Sequence, residues 1–473
     1  MTPRALPLLL AFDAGSTNFK AALFDAEGRR LAEHAEAVRY AVRDGVRAEM
    51  DPEEIWEIAL RTLRGVCRAA DIVPAAIRTL AFSSQAQTFT VCDEGGRAFL
   101  PLMSWLDKRA TEESTLLDRR FSPIFHQHCS IAAPIPQLQI AKALWAQRHF
   151  PTAFGRGRRL TALPGFLALR VAGVNATDPN LAAMGGLYSL RARDWWSDAL
   201  AATGLNAAAL PDLVRLGEAI PLRRAHPDFP LHREVRVVFA GNDQTCGMMG
   251  TACADDEWIA TLGTALVLYR CAGEQSGPFH PAGVWGPWPL GGFYELATRD
   301  EGCVALDWAR ERLLPDASPD AFAREASRAD PVSAPFFFPA AIYGPKAWSA
   351  SAAPAEMAYA AYEGVLFSLR ELVAEISKGA SPPRRLGALG GGSRSDFGLQ
   401  LMADILDRPV RRGSGDALDG AARLARGARP PREADDSRSW TPAPGGVRLR
   451  AERYARWKAA EPSRSSPQLP QKA

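Results

Sequence analysis

Four short segments carry side chains suited to handling phosphate and a hydroxyl proton. The first is Asp13-Ala14-Gly15-Ser16-Thr17-Asn18-Phe19-Lys20, directly after an apolar run at residues 6–12. Gly15 lets the backbone turn sharply, and successive amides with the Ser16 and Thr17 hydroxyls can cradle phosphate oxygens. Asp13, at a strand end, can hold a hydrated Mg2+, which takes one or two carboxylates and keeps several waters. The second is Gly241-Asn242-Asp243-Gln244-Thr245, between an apolar strand and a small-residue helix. A carboxylate there can take the proton of an attacking hydroxyl, or it can simply cap the helix. The third, Thr261-Leu262-Gly263-Thr264, repeats the glycine-hydroxyl turn. The fourth, Gly390-Gly391-Gly392-Ser393, lets a flat ring approach the backbone and turns a helix N-terminus toward an anion. None fits G-x-G-x-x-G or G-x-x-x-x-G-K-S/T, so the dinucleotide and P-loop fingerprints are absent.

These segments need strands and helices to place them. Residues 6–12 read as a central strand, with further strands at 19–24 and 30–38. A helix follows, with Asp51 as its cap, Pro52 in the first position and Glu54 three after the cap. Ile55, Trp56, Ala59, Leu60 and Leu63 form its buried stripe. Residues 77–82 make another strand, ending in polar Ser83-Ser84-Gln85. A similar start recurs near 235: a strand at 235–240, the Asp243 helix, then strands at 258–262 and 265–269. Residues 357–376 form a long amphipathic helix. A strand at 386–389 runs into the three glycines, and a helix at 397–406 follows. Hairpin strands followed by alternating helices and strands indicate α/β. Residues 428–447, rich in Pro, Arg, Asp and Gly, read as poor in structure, and 461–473 as a frayed tail.

Composition bounds the function. Of 473 residues, 47% are apolar, enough for two to four packed domains. Fifty-six basic residues stand against 53 acidic ones, which gives no footprint for nucleic acid or an anionic membrane. Seven cysteines in no C-x-x-C pair argue against a disulfide framework or zinc ribbon and for a reducing, cytoplasmic setting. No apolar run approaches a bilayer span, and the apolar start reads as a first strand rather than a signal peptide. Other eye-catching residues have plain readings. His126 and His128 lack a completing ligand. Cys246 is a small apolar helix residue. Trp195-Trp196 and Phe336-Phe337-Phe338 are packing residues, and Lys108-Arg109 is a solvated helix start.

Taken in order, the segments resemble the FGGY carbohydrate kinases, xylulokinases in particular. FDAGSTNFK at 12–20 resembles the family's first phosphate motif. SSQAQTF at 83–89 and WLDKRA at 105–110 resemble its substrate loop. AGNDQTCGMMGTA at 240–252 resembles its catalytic segment, ATLGTALV at 260–267 its second phosphate motif, and GGGSRSDFGLQLMADILDRPV at 390–410 its adenosine motif. The likeness spans about residues 7–425. It implies an α/β fold of two RNase H-like, actin-like ATPase domains flanking a central cleft, at 1–234 for the sugar and 235–460 for the nucleotide, with 461–473 a disordered tail.

The resemblance also implies residue roles. Asp243 corresponds to the general base and Asp13 to the Mg2+-linked carboxylate. Gly15, Ser16, Thr17 and Lys20 line the ATP phosphates from one side, Gly263 and Thr264 from the other. Gly391, Gly392 and Ser395 fall where the nucleoside is held. Gln85, Ala86, Gln87, Trp105, Asp107, Asp243 and Gln244 fall on the sugar side. The implied activity is transfer of the γ-phosphate of ATP to a hydroxyl of a ketopentose or related polyol, and a homodimer is the assembly the family favours. Three departures stand out. Gln87 and Ala86 replace the His and Met of the xylulokinase loop, Gly344-Pro345-Lys346 replaces a G-E-R motif, and Gly302 is one residue out of step. Two rival readings, a non-catalytic sugar sensor on the same fold and a partner-driven actin-like ATPase, differ in lacking either phosphoryl transfer or a sugar site.

Overall fold

The strand Leu8–Ala14 is apolar except for Asp13 near its end because both its edges and both its faces are covered. Asn18–Phe24 pairs with it antiparallel on one side and Ile77–Ser84 parallel on the other. The structure, a computed structural model, describes residues 7–251, 257–274, 279–281, 283–342, 346–429 and 439–461. Gly344 and Pro345 of the loop noted above, and the tail at 462–473, lie outside the described residues. Backbone contacts divide the chain into two units. The first holds Met1–Ala252, Val284–Phe293 and Gly415–Pro430, and the second holds Cys253–Gly283, Tyr294–Ser414 and Pro431–Ala473.

The first unit is built on a six-stranded sheet in the order Ala219–Pro221, Arg236–Asn242, Ile77–Ser84, Leu8–Ala14, Asn18–Phe24, Arg30–Ala37. The three middle strands are parallel, so their carboxyl ends, at Asn242, Ser84 and Ala14, share one edge. Side-chain alternation sorts the strand between two cores. Leu10, Phe12 and Ala14 face the helix Pro52–Ala69. Leu9 and Ala11 face the helices Asp243–Gly250 and Ala417–Ala425. The Pro52–Ala69 helix begins as its sequence dictates, with Asp51 accepting from the Glu53 and Glu54 amides at 2.9 and 2.8 Å. Its stripe of Ile55, Trp56, Ala59, Leu60 and Leu63 is buried, each large side chain contributing about 1.5–3 kcal/mol of burial. The other two helices approach closely because glycine permits it: a Cβ on Gly420 would lie 1.8 Å from the Cys246 carbonyl oxygen.

In the second unit the strand order is Phe293–Arg299, Leu266–Gly273, Glu257–Leu262, Arg385–Leu389, Val410–Arg412, Ser439–Trp440. Glu257–Leu262 repeats the layout of Leu8–Ala14, with an antiparallel hairpin partner on one side and a parallel strand on the other. The helix Pro354–Ile376 is buried along most of its length.

Two expectations differ from the structure. The strand Arg236–Asn242 and the helices Asp243–Gly250 and Ala417–Ala425 belong to the first unit, although all lie beyond residue 234. Nor are all the described residues of 428–447 poor in structure, since Ser439–Trp440 form a strand and Pro444 opens the helix Pro444–Ala460, while 430–438 lie outside the described residues. That helix begins Pro-Gly-Gly, and its buried residues are Arg450, Arg453 and Trp457, so apolar periodicity could not reveal it. Arg453 is buried against Glu363, with Nε at 2.8 Å and Nη2 at 2.7 Å from the carboxylate. The Trp457 indole donates to the Phe337 carbonyl at 2.8 Å. Among the described residues no helix is long and apolar enough to cross a membrane.

Candidate active site

Asp13 stands at the end of its strand, opposite Ser83 on the parallel neighbour and Lys20 across the hairpin. The Ser83 hydroxyl donates to Asp13 Oδ1 at 2.9 Å. The turn that follows is tight: a Cβ on Gly15 would sit 2.8 Å from the Asn18 carbonyl oxygen. Gln85 braces this turn, its amide nitrogen donating to the Gly15 carbonyl at 3.1 Å while its Oε1 accepts from Thr88 at 3.0 Å. Gln85 is therefore buried and engaged at both ends of its amide. Ser16 is half-buried, and Thr17 and Lys20 are exposed beside it.

Asp243 follows the Arg236–Asn242 strand, two strands along the same edge, roughly 10 Å by ordinary strand spacing. The helix cap is Asn242, whose Oδ1 accepts from the Thr245 amide at 2.8 Å. Asp243 is thus the first helical residue and is relieved of the capping role. Its Oδ1 accepts from the adjacent Gln244 amide, at 2.9 Å. Burial pushes the Asp243 carboxyl up to about 7, and the neighbouring Asp13 charge adds to the rise. Burial likewise raises Asp13 to about 6, against the lowering effects of the Ser83 hydroxyl and Lys20. Neither carboxylate has an ion-pair partner among the described residues. Two half-buried, uncompensated carboxylates resist ionising together, and a divalent cation would relieve them. One or two carboxylates with remaining water is the donor set that Mg2+ favours, so the residues present fit that ion.

The expected sugar-side residues divide into two kinds. Gln87 holds a left-handed backbone at φ +66°, and its side-chain amide donates to the Met184 carbonyl at 3.2 Å. Ala86 beside it is half-buried, as is Gln244 on the helix. Trp105 is exposed. Asp107 is different: it is fully buried, accepting from Arg109 at 2.9 and 2.6 Å and from the Ala48 amide at 2.8 Å. Arg109 also pairs with Glu49 and is itself buried. The expectation of a solvated Arg109 is thereby corrected, because two carboxylates draw its guanidinium inward. A pocket in this unit is lined by Gln85, Gln87, Gln139 and Thr177 with apolar Leu181 and Trp195, and no charged side chain lines it.

Sequence reading missed Lys142. It is fully buried, and its ammonium donates to the carbonyls of Gln87, Met103 and Ser104 at 3.0, 3.2 and 2.7 Å. Burial pushes it down to about 7. A lysine within the buried run Ile140-Ala141-Lys142-Ala143 was its one sequence signal. The residues given plain readings behave as packing. His128 stacks on Trp196 at 4.3 Å, the Phe336–Phe338 stretch lies in the second unit's core, and the buried Cys246 thiol faces the Ala240 carbonyl at 3.1 Å.

In the second unit, Gly263 and Thr264 turn between the strands Glu257–Leu262 and Leu266–Gly273. The Gly302 and Cys303 amides donate to the Thr264 and Gly263 carbonyls at 3.0 and 2.7 Å. A Cβ on Gly302 would lie 2.5 Å from the Ala265 carbonyl carbon, and one on Gly390, at φ +85°, 2.6 Å from the Leu262 oxygen. Gly392 packs as tightly, against Cys303 Sγ at 2.7 Å, whereas the Cβ position of Gly391 faces open space. Ser395 caps the helix Asp396–Leu406, accepting from the Gly398 amide at 3.0 Å.

Comparison with known proteins agrees with this geometry. The N-terminal domain of the FGGY family of carbohydrate kinases matches residues 8–250, and its C-terminal domain matches 331–426. The chain is 28% identical to the xylulose kinase of Klebsiella pneumoniae, over 88% of this chain and 89% of that protein. It is also 28% identical to the glycerol kinase of Thermus brockianus, over 85% and 86%. The ligand-bound xylulose kinase of Lactobacillus acidophilus superposes with a TM-score of 0.84 at 19% identity, covering 96% of this chain and 97% of that one. With both family domains matched in order and the strand-end carboxylates in place, the chain belongs to the FGGY family of carbohydrate kinases.

Proposed function

We propose that this kinase transfers the γ-phosphoryl group of ATP to a hydroxyl of a neutral ketopentose or related polyol, with Asp243 as general base. The observation that carries the reading is the Asp13–Asp243 pair, set at the carboxyl ends of parallel strands and lacking any ion-pair partner among the described residues. A base pushed up to about 7 is matched to proton transfer near neutral pH. The sugar oxygen attacks the γ-phosphorus, its proton passes to an Asp243 oxygen, and the bond to the ADP oxygen breaks. Asp13 would hold the Mg2+, which when bound offsets the charge of the phosphate oxygens. Gly15, Ser16, Thr17 and Lys20, together with Gly263 and Thr264, are the residues this reading assigns to the phosphates. Gly391 and Ser395 adjoin the nucleoside, where the open space at Gly391 admits it. Phosphoryl transfer demands little beyond such positioning and dispersed charge.

Neutrality of the substrate follows from what the sugar side lacks. Its loop presents carboxamides, and its two buried cations are already committed, Lys142 to three carbonyls and Arg109 to Asp107 and Glu49. Among the described residues, a sugar carboxylate would find no free cation lining that pocket. The xylulose and glycerol kinases among its relatives suit a neutral acceptor as well. ADP release from Mg-ATP across pentuloses, hexuloses, polyols and aldonates tests this. A ketopentose or neutral polyol should give the highest kcat/KM, and preference for an aldonate would contradict the assignment.

A further inference from the structure

Asn180 sits in the four-residue helix Pro179–Ala182 and is fully buried. Its Oδ1 accepts from the Asn242 backbone amide at 2.9 Å and from Asn242 Nδ2 at 2.6 Å. Its Nδ2 donates to Thr245 Oγ1 at 3.0 Å and to the Pro287 carbonyl at 2.9 Å. Two donors and two acceptor sites are all that a carboxamide has, so its capacity is filled. The partners also fix which way it points. A backbone N–H can only donate and a carbonyl can only accept, so the oxygen must face Asn242 and the nitrogen Pro287.

That orientation passes to the next side chain. With Asn242 Nδ2 held by Asn180, Asn242 Oδ1 is left facing the Thr245 amide, which it caps. Asn180 thereby grips both ends of the first helical turn, Asn242 and Thr245, with Asp243 and Gln244 between them. The approach needs a glycine before the cap: Gly241 lies at φ +92°, and a Cβ there would be 2.9 Å from Asn180 Oδ1. Asp178 supports the arrangement from the other side, capping the short helix through the Asn180 and Leu181 amides at 2.8 and 3.1 Å.

We propose that Asn180 is a positioning residue for the phosphoryl-transfer step, acting through Asn242 to fix the carboxylate of Asp243. The proposal rests on the reading of Asp243 as the base. It predicts a loss confined to turnover, because a displaced general base slows the chemical step while leaving ground-state contacts intact. Asn180→Ala and the milder Asn180→Ser, each checked for folding by circular dichroism, should lower kcat about 10–100-fold, with KM for sugar and for Mg-ATP within about threefold of wild type. Combining Asn180→Ala or Asn180→Ser with Asp243→Ala should slow the Asp243→Ala enzyme by no more than about twofold, since residues acting as a unit are not additive. A full 10–100-fold further loss in that background, or a raised KM with unchanged kcat, would overturn the proposal. Failure of the underlying reading looks different: Asp243→Ala alone would then keep wild-type turnover.

Discussion

Asp243 owes its properties to what surrounds it. The strand before it is buried, Asn242 takes the capping role, and the charge of Asp13 bears on it. The same features make the site costly to the ligand-free fold. Asp243 titrates near 7 and Asp13 near 6, against about 4 in an unfolded chain. The folded protein therefore holds protons that the unfolded chain has released, so stability present below about pH 4 is lost as pH rises through about 7. Asp243→Asn should raise Tm by roughly 1–3 °C at pH 8 without ligand and by clearly less at pH 5, where the loss that begins near the unfolded pKa is only partly complete. Calorimetry at the two pH values checks this, and a lower Tm for the variant at pH 8 would contradict it. At this scale sequence reading reached as far as motif positions. Asp13 and Asp243 stand out by type and place. Gln85 and Asp107 stand out equally, but their side chains are spent on Gly15 and Arg109. Asn180 and Lys142 gave little signal, because their partners come from distant stretches of chain.

Among the elements, those built on local chemistry were legible. The Pro52–Ala69 helix follows from its cap and stripe, and the strands around Gly15 and Gly263 from apolar runs broken by glycine-hydroxyl turns. The helix Pro444–Ala460 was not, because arginine stems and a buried ion pair hold it rather than an apolar stripe. The Gly263–Thr264 turn depends on a close approach that no spacing rule predicts. The helix Cys303–Leu313 begins against it, and the absence of a side chain at Gly302 allows the contact. Gly302→Ala places a methyl into backbone that has no slack, an overpacking worth about 1–3 kcal/mol. The variant should bind ATP at least about tenfold more weakly, while sugar affinity without nucleotide, which the proposed function assigns to the first unit, stays within about twofold. Titration calorimetry separates the two. Unchanged ATP affinity would remove this turn from the phosphate site.

Across the whole molecule the chain builds the same strand layout twice, and two halves were visible in the repeated glycine-hydroxyl turns. Their division was not. The first unit is completed by a helix from residues 417–425, docked on the helix Asp243–Gly250 through Gly420 and tied by Arg30 to Asp416 and Asp419 at 2.6 and 2.8 Å. Arg423 reaches the Met249 carbonyl at 2.9 Å, at the far end of the Asp243–Gly250 helix. A segment so remote in sequence shows its allegiance only once the sheet has formed. The second unit is closed by the buried pair of Arg453 and Glu363. Removing one member of such a pair leaves an unpaired buried charge, at about 3–5 kcal/mol. The most direct test of the central claim compares wild type with Asp243→Ala, turning over D-xylulose or the best substrate of the panel with saturating Mg-ATP. The account predicts a folded variant that still binds ATP and sugar and loses kcat by at least about a thousandfold, the upper reach of removing one proton-transfer group or transition-state contact. Turnover within about threefold of wild type would contradict it.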